Sequence, residues 1–116
     1  MTSVLVIGYD PQGIPGIDAQ ALRTELDKDL ARFAEQGIDA AMTTVVFGGA
    51  VESTLVTSLT ERHWDVVVVG AGIRKAEQLL PLFEQIVNLI RRHAPGAAIA
   101  FNAGVGDSLE AAQRRL

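Results

Sequence analysis

The chain of 116 residues contains no cysteine, which excludes disulfides, thiol nucleophiles and thiolate metal sites. Long apolar runs are also missing, and every run is far shorter than the roughly 20 residues that a membrane span needs. The amino terminus lacks the basic start of a signal peptide. These absences predict a cytoplasmic protein without a membrane partner.

An excess of basic residues is also missing. The chain has 10 Lys and Arg against 14 Asp and Glu, which gives a formal net charge of −4. Proteins that bind nucleic acids generically need a basic face to release counterions from phosphates. The two basic pairs, Arg91-Arg92 and Arg114-Arg115, fall near predicted helix carboxyl ends, where cations offset the helix dipole. We therefore expect no nucleic-acid partner.

The most informative stretch that is present runs from Asp65 to Arg74. Its four consecutive valines, Val66–Val69, indicate a strand buried on both faces, as in parallel sheets covered by helices. A glycine-rich turn with a cation, Gly70-Ala71-Gly72-Ile73-Arg74, follows the strand directly. In open α/β sheets, ligands bind in the crevice at the carboxyl ends of the strands. The stretch therefore predicts both an architecture and a position for a site.

Strands and helices alternate along the whole chain. The predicted strands are Ser3–Ile7, Ile38–Phe47, the four valines and Ala97–Phe101. Because crossovers between parallel strands are right-handed, a single reversal of direction gives the strand order 2-1-3-4. We predict one α/β domain over residues 1–116, a three-layer sandwich with a four-stranded parallel sheet, Rossmann-like or flavodoxin-like. The first and last helices should cover one face and the middle two the other.

Four helices are predicted between and after these strands. Asp18 is a good N-cap for the first, Gly37 fits its carboxyl end, and the second carries Val51 on its apolar stripe. The third has Pro81 in its first turn and ends near His93. Before the last helix, Asp107 and Glu110 have the spacing of a capping box.

The rim at the carboxyl ends of the strands is the expected site. The switch point falls between the loops after the first and third strands, where glycines allow close approach of a ligand. The candidate ligand-binding residues are Gly8, Tyr9, Asp10, Gly70, Gly72, Arg74, Lys75 and Asn102. Arg74, with Lys75, would hold an anionic metabolite or nucleotide, Asp10 would orient a hydroxyl or amine, and Asn102 would line the wall. The alternative is that the glycines only serve short turns and Arg74 is solvated.

No catalytic set can be recognised at this rim. His63 and His93 both fall at the opposite rim, and no nucleophile, base and orienting group come together. Gly70-Ala71-Gly72 lacks the third glycine of the dinucleotide fingerprint, so no cofactor or metal is expected. Whether the protein is an enzyme stays open, since Tyr9, Asp10 and Arg74 could support simple proton transfer.

Three segments resemble a group of small bacterial Rossmann-like or flavodoxin-like α/β proteins for which no activity is assigned. They are Val68–Arg74, Leu82-Phe83-Glu84 with Val87-Asn88, and Ala94–Ala97 with Ile99–Asn102. The resemblance covers most of the chain and implies the fold, but it carries no activity.

A partner is suggested by the third predicted helix. Its apolar residues sweep roughly half of the circumference, wider than the stripe of a surface helix. Either the outer edge of this helix, with Leu89, or the uncharged edge of the fourth strand would support a homodimer. Such a dimer would suit a protein-interaction or scaffold module without catalysis. The alternative is a helix wedged between the sheet and the second helix.

Overall fold

The chain forms a parallel sheet of four strands with helices on both faces. The structure, a computed structural model, describes all 116 residues. The strands are β1 (Ser3–Tyr9), β2 (Asp39–Val45), β3 (Val66–Val69) and β4 (Ala98–Phe101). They lie in the order β2-β1-β3-β4, and β1 runs parallel to both of its neighbours. The predicted three-layer α/β sandwich and its strand order are confirmed.

Five helices connect and follow the strands. They are α1 (Ala19–Glu35), α2 (Val51–Thr60), α3 (Ala71–Arg74), α4 (Leu80–His93) and α5 (Ser108–Gln113). Asp18 caps α1 by accepting a hydrogen bond from the N–H of Ala21 at 3.1 Å. Gly37, just after α1, has φ +71°, a left-handed conformation that favours glycine. None of the helices combines the length and hydropathy that crossing a bilayer requires.

Two hydrophobic clusters lie on opposite faces of the sheet, because side chains alternate along each strand. On β1, Val4 and Val6 pack toward α1 and α5, whereas Leu5 and Ile7 pack toward α2, α3 and α4. All four valines of β3 are completely buried. The predicted assignment of the first and last helices to one face is therefore confirmed.

The turn after β3 differs from the prediction. Gly70 is extended and is followed by one helical turn, α3, whose first hydrogen bonds run from the N–H groups of Ile73 and Arg74 to the Gly70 carbonyl. Ile73 is completely buried in the cluster under α2 and α4. This burial pulls the turn against the core, and a sequence pattern of two glycines does not reveal it.

The predicted capping box at the start of α5 is wrong. The carboxylate of Asp107 accepts hydrogen bonds from the N–H groups of Ala103 at 2.9 Å and Gly104 at 3.0 Å, so it closes the preceding loop. Glu110 instead pairs with Arg32 on α1. The donors to Asp107 belong to the loop before α5 and the donor to Glu110 belongs to α1, so neither carboxylate forms the capping box that the spacing predicts.

The position of Leu89 is also different from the expected outer edge of the helix. Leu89 is 6% exposed and belongs to the cluster between α4, α2 and the sheet. The wide apolar arc of α4 is largely core, because the helix packs against both the sheet and α2. Only Leu80 among its large apolar side chains is strongly exposed, at 60%.

Candidate functional site

A pocket of about 510 Å³ opens at the carboxyl ends of β1 and β3, where the chain reverses direction. It extends from this rim between the sheet and the amino-terminal half of α1. Val6 and Met42 form its floor on the sheet, and Leu22 and Leu26 of α1 form the opposite wall. Eleven of its nineteen lining residues are hydrophobic, so the pocket suits a ligand with an apolar body.

Six of the eight predicted site residues line this pocket. They are Gly8, Tyr9, Gly70, Gly72, Lys75 and Asn102. These six residues therefore lie together at one pocket, and their role in ligand binding stays a prediction. Asp10 and Arg74 are not among the lining residues. The prediction had assigned Arg74 to an anionic group of the ligand and Asp10 to a hydroxyl or amine.

Asp10 is committed to local structure. Its Oδ1 accepts a hydrogen bond from the N–H of Gln12 at 3.0 Å and caps the single 3-10 turn Pro11–Gly13. The same oxygen lies 3.3 Å from Nη2 of Arg23 on α1. Asp10 thereby fastens the loop after β1 to α1, and it is not among the residues that line the pocket.

Arg74 is directed away from the pocket, across the end of the sheet. Its Nη2 donates to the carbonyl of Asn102 at 2.5 Å, and its guanidinium carbon lies 5.9 Å from the centre of the Phe101 ring. Its Nε is buried without a hydrogen-bond partner. The side chain thus ties the end of β4 to α3 and is not free to hold an anion in the pocket.

Asn102 lies at the wall as predicted, but its amide is used within the protein. Its Oδ1 accepts from the N–H of Ala71 at 2.7 Å, and its Nδ2 donates to Oγ of Ser108 at 2.9 Å. Asn102 is 6% exposed and Ser108 is 1% exposed. Together they join the turn after β3 to the start of α5 and hold that side of the pocket rigid.

The glycines of the rim have two different roles. A Cβ on Gly70 would lie 3.2 Å from the carbonyl oxygen of Ile7, so this position needs glycine for close approach of β1 and β3. A Cβ on Gly8 would have no atom within 4 Å. Because Gly8 lies on the same face of β1 as Val6, the absent side chain leaves space that belongs to the pocket.

Asp29 is the charged residue of the pocket that the sequence analysis missed. It lies on α1 among the lining residues, is 2% exposed, and its Oδ1 is buried without a hydrogen-bond partner. The available signal was its spacing, three residues after Leu26 and seven after Leu22, which puts an acid on the apolar face of the helix. Next to Glu25 and Asp27, it had the appearance of one more surface charge.

The carboxylate of Asp29 is near one cation, Arg32. Nη1 of Arg32 lies 3.9 Å from Oδ1 of Asp29, which is beyond hydrogen-bond distance. Arg32 donates instead to the carboxylate of Glu110 and to the carbonyl of Gly106. The hydrogen bond to Glu110, aided by the negative charges of Glu110, Asp29 and Glu35, raises the pKa of Arg32. The same contact lowers the pKa of Glu110.

The remaining chemistry at the rim is limited. Asp29 and Lys75 are the charged lining residues, and the Lys75 ammonium donates to the carbonyl of Ala103. His63 and His93 line a separate cleft at the opposite rim. No group of three or more His, Asp or Glu side chains is arranged to hold a metal ion. The arrangement suits binding, and it contains no nucleophile paired with a base.

The chain matches no protein-family model and no curated protein.

Proposed function

We propose that the protein binds a small molecule with an apolar body in the pocket between β1, β3 and α1. The observation that carries this proposal is the pocket itself, about 510 Å³ with a mainly hydrophobic lining, at the switch point of the sheet. Ligand sites of about 300–1,000 Å³ with few polar groups are typical of proteins that hold metabolites. We assign this binding to the cytoplasm, since the chain has no cysteine to indicate an oxidising compartment.

The proposed ligand is neutral or cationic, in contrast to the anionic metabolite or nucleotide expected from the sequence. Arg74 donates to the Asn102 carbonyl, and the N–H groups of Ala103 and Gly104 donate to Asp107. Few donors are therefore left for phosphate or carboxylate groups. The carboxylate of Asp29 in the wall would also repel an anion.

Substitution of Gly8 by Phe tests the proposal. The ring would extend from the floor of the pocket into free space, so the variant should fold and exclude the ligand. Gly96→Phe is the matched control, because a Cβ there also has no atom within 4 Å and Gly96 lies outside the pocket. Tryptophol (indole-3-ethanol) serves as a neutral apolar ligand, titrated while amide resonances are recorded by NMR.

Tryptophol should shift the amide resonances of Gly8, Gly72 and Gly104 and leave that of Gly96 unchanged. Gly8→Phe should weaken its binding by about tenfold or more, equivalent to about 1.4 kcal/mol, and Gly96→Phe should not change it. If millimolar tryptophol shifts no pocket resonance, or if it binds Gly8→Phe as well as the unmodified protein, the proposal is refuted.

A second candidate function is a homodimeric interaction module that associates through the edge of β4, the second of the two surfaces expected from the sequence. Strand β4 pairs with no strand other than β3, and none of its own residues is charged. One charged group contacts it, since Nη2 of Arg114 donates to the carbonyl of Phe101 at 2.8 Å. Phe101 at this edge is 38% exposed and contacts Phe83 of α4 with ring centres 5.8 Å apart. We propose that two copies associate through this edge and the adjacent face of α4.

Phe101→Lys tests the dimer, because a lysine on an exposed strand edge opposes pairing. Ile17→Lys, at an exposed apolar residue of a loop, is the control. Light scattering should give a dimer for the unmodified protein and for Ile17→Lys, and a monomer for Phe101→Lys. A monomeric unmodified protein at micromolar concentration would exclude this candidate.

A further inference from the structure

Asp29 is a buried carboxylate with unused hydrogen-bonding capacity in the wall of the pocket. It is 2% exposed, and its Oδ1 has no hydrogen-bond partner. Buried polar atoms without partners are rare in native proteins, and each needs an explanation such as a function or a bound group. The other buried polar side chains of the pocket, Asn102 and Ser108, satisfy each other. Asp29 alone is left without a protein donor.

Arg32 does not supply the missing donor. Its Nη1 is 3.9 Å from Oδ1 of Asp29, and it donates 2.9 Å to Oε1 of Glu110 and also to the carbonyl of Gly106. Its Nη2 donates to the other oxygen of Glu110. The guanidinium is thus held in a forked pair with Glu110, and turning it toward Asp29 would break that pair.

The charges around Asp29 do not balance. One guanidinium, Arg32, lies beside the carboxylates of Glu110 and Asp29, and the negative charge of Glu35 also acts on it. The cation that lines the pocket, Lys75, is exposed at the rim, where its ammonium donates to the carbonyl of Ala103. Around Asp29 and Arg32 the carboxylates therefore outnumber the guanidinium, and a cationic group would offset the difference.

We infer that the ligand of this pocket carries a protonated amine, which donates a hydrogen bond to the carboxylate of Asp29 while its apolar body fills the space between α1 and the sheet. This inference rests on the proposed function. An ammonium supplies both the donor that Asp29 lacks and the charge that its surroundings lack. A hydroxyl supplies only the donor, and a carboxylate supplies neither.

Three compounds with the same indole body separate these possibilities. Tryptamine carries an ammonium, tryptophol a hydroxyl, and indole-3-acetate a carboxylate. Their dissociation constants would be measured by NMR titration with the unmodified protein, with Asp29→Asn, and with Asp27→Asn. The last is the matched control, since Asp27 is an exposed acid on the same helix outside the pocket.

Tryptamine should bind the unmodified protein about tenfold more tightly than tryptophol, since hydrogen bonds to charged groups are stronger than neutral ones. Indole-3-acetate should bind most weakly. The preference for tryptamine should vanish in Asp29→Asn and persist in Asp27→Asn. In the unmodified protein, the carboxyl ¹³C resonance of Asp29 should move with tryptamine more than with tryptophol. This last measurement does not depend on the folding of any variant.

The outcomes are distinguishable. Equal binding of tryptamine and tryptophol, or a preference that survives in Asp29→Asn, overturns the inference. The proposed function then stands as long as Gly8→Phe still excludes tryptophol. If none of the three compounds binds the unmodified protein at millimolar concentration, the inference and the proposed function are both refuted.

Discussion

Replacement of Asp29 by Leu should stabilise the protein, although it changes a buried residue. Leu has nearly the shape of Asp with methyl groups in place of the carboxylate oxygens, and the pocket beside residue 29 leaves room for them. The change removes a buried oxygen that has no hydrogen-bond partner. Residues that bind ligands often lower the stability of the free protein. This substitution therefore tests whether Asp29 lowers the free energy of unfolding.

The expected size of the effect follows from two contributions. Leaving a buried acceptor without a partner costs about 1–3 kcal/mol, and Leu is better than Asp inside a helix by about 0.5 kcal/mol. Arg32 keeps its contacts with Glu110 in the variant. We expect a net gain of about 1–3 kcal/mol in the free energy of unfolding. The midpoint of thermal unfolding should rise by about 4 °C for each kcal/mol.

Urea and thermal unfolding followed by circular dichroism would measure this gain. Asp27→Leu is the matched control, because Asp27 is exposed on the same helix and gains only the helix propensity, about 0.5 kcal/mol. A lower stability of Asp29→Leu would refute the reasoning, since it would mean that the carboxylate is well satisfied in the free protein. Equal gains in both variants would show that burial of Asp29 carries no penalty.

Two further predictions concern the sheet. Gly70→Ala should lower the free energy of unfolding in urea by about 1–3 kcal/mol, since its Cβ would lie 3.2 Å from the Ile7 carbonyl oxygen. Gly72→Ala is the control and should not destabilise the protein, because the nearest atom to its Cβ would be 4.0 Å away. The N–H of Ser3 holds the pKa of Asp65 below its usual value, so this carboxylate stabilises the fold above the unfolded pKa of about 3.9 and loses the effect as pH falls through the folded pKa. The stability that Asp65 adds relative to Asp65→Asn should be present at about pH 5 and should shrink toward about pH 3. A difference that is unchanged at about pH 3 would contradict the prediction.

The fold could be predicted because its signals are local and strong. Four adjacent valines indicate a strand that is buried on both faces. Asp18 and Gly37 mark the two ends of one helix, and Pro81 lies in the first turn of another. Right-handed crossovers then leave few strand orders, and the switch point follows from the order. These steps also placed Gly8, Gly70 and Asn102 at the pocket, since residues at or just after the carboxyl end of a parallel strand lie at one rim of the sheet.

The polar chemistry of the site could not be predicted because it depends on side-chain direction. Arg74 occupies the expected loop, but the helical turn of α3 sends its guanidinium to the carbonyl of Asn102. The Asp10 carboxylate likewise accepts a hydrogen bond within its own loop, from the N–H of Gln12. Asp29 belongs to a helix whose other acids are solvated, and only the packing of α1 over the sheet shows that this carboxylate is buried.

The pocket makes the two halves of the molecule unequal. The cluster beneath α2 and α4 contains 14 buried residues and the one beneath α1 and α5 contains 10, since part of the space there is left open. Along α1, Phe33 near the carboxyl end is completely buried, but Leu22 and Leu26 toward the amino end only partly cover the hollow. That first half of α1 should open more readily than the second half, and its amide hydrogens should exchange with solvent earlier than those around Phe33. A molecule that binds in the hollow would supply the missing packing and would slow amide exchange along α1. The exchange rates of the amides beneath α2 and α4 should not change.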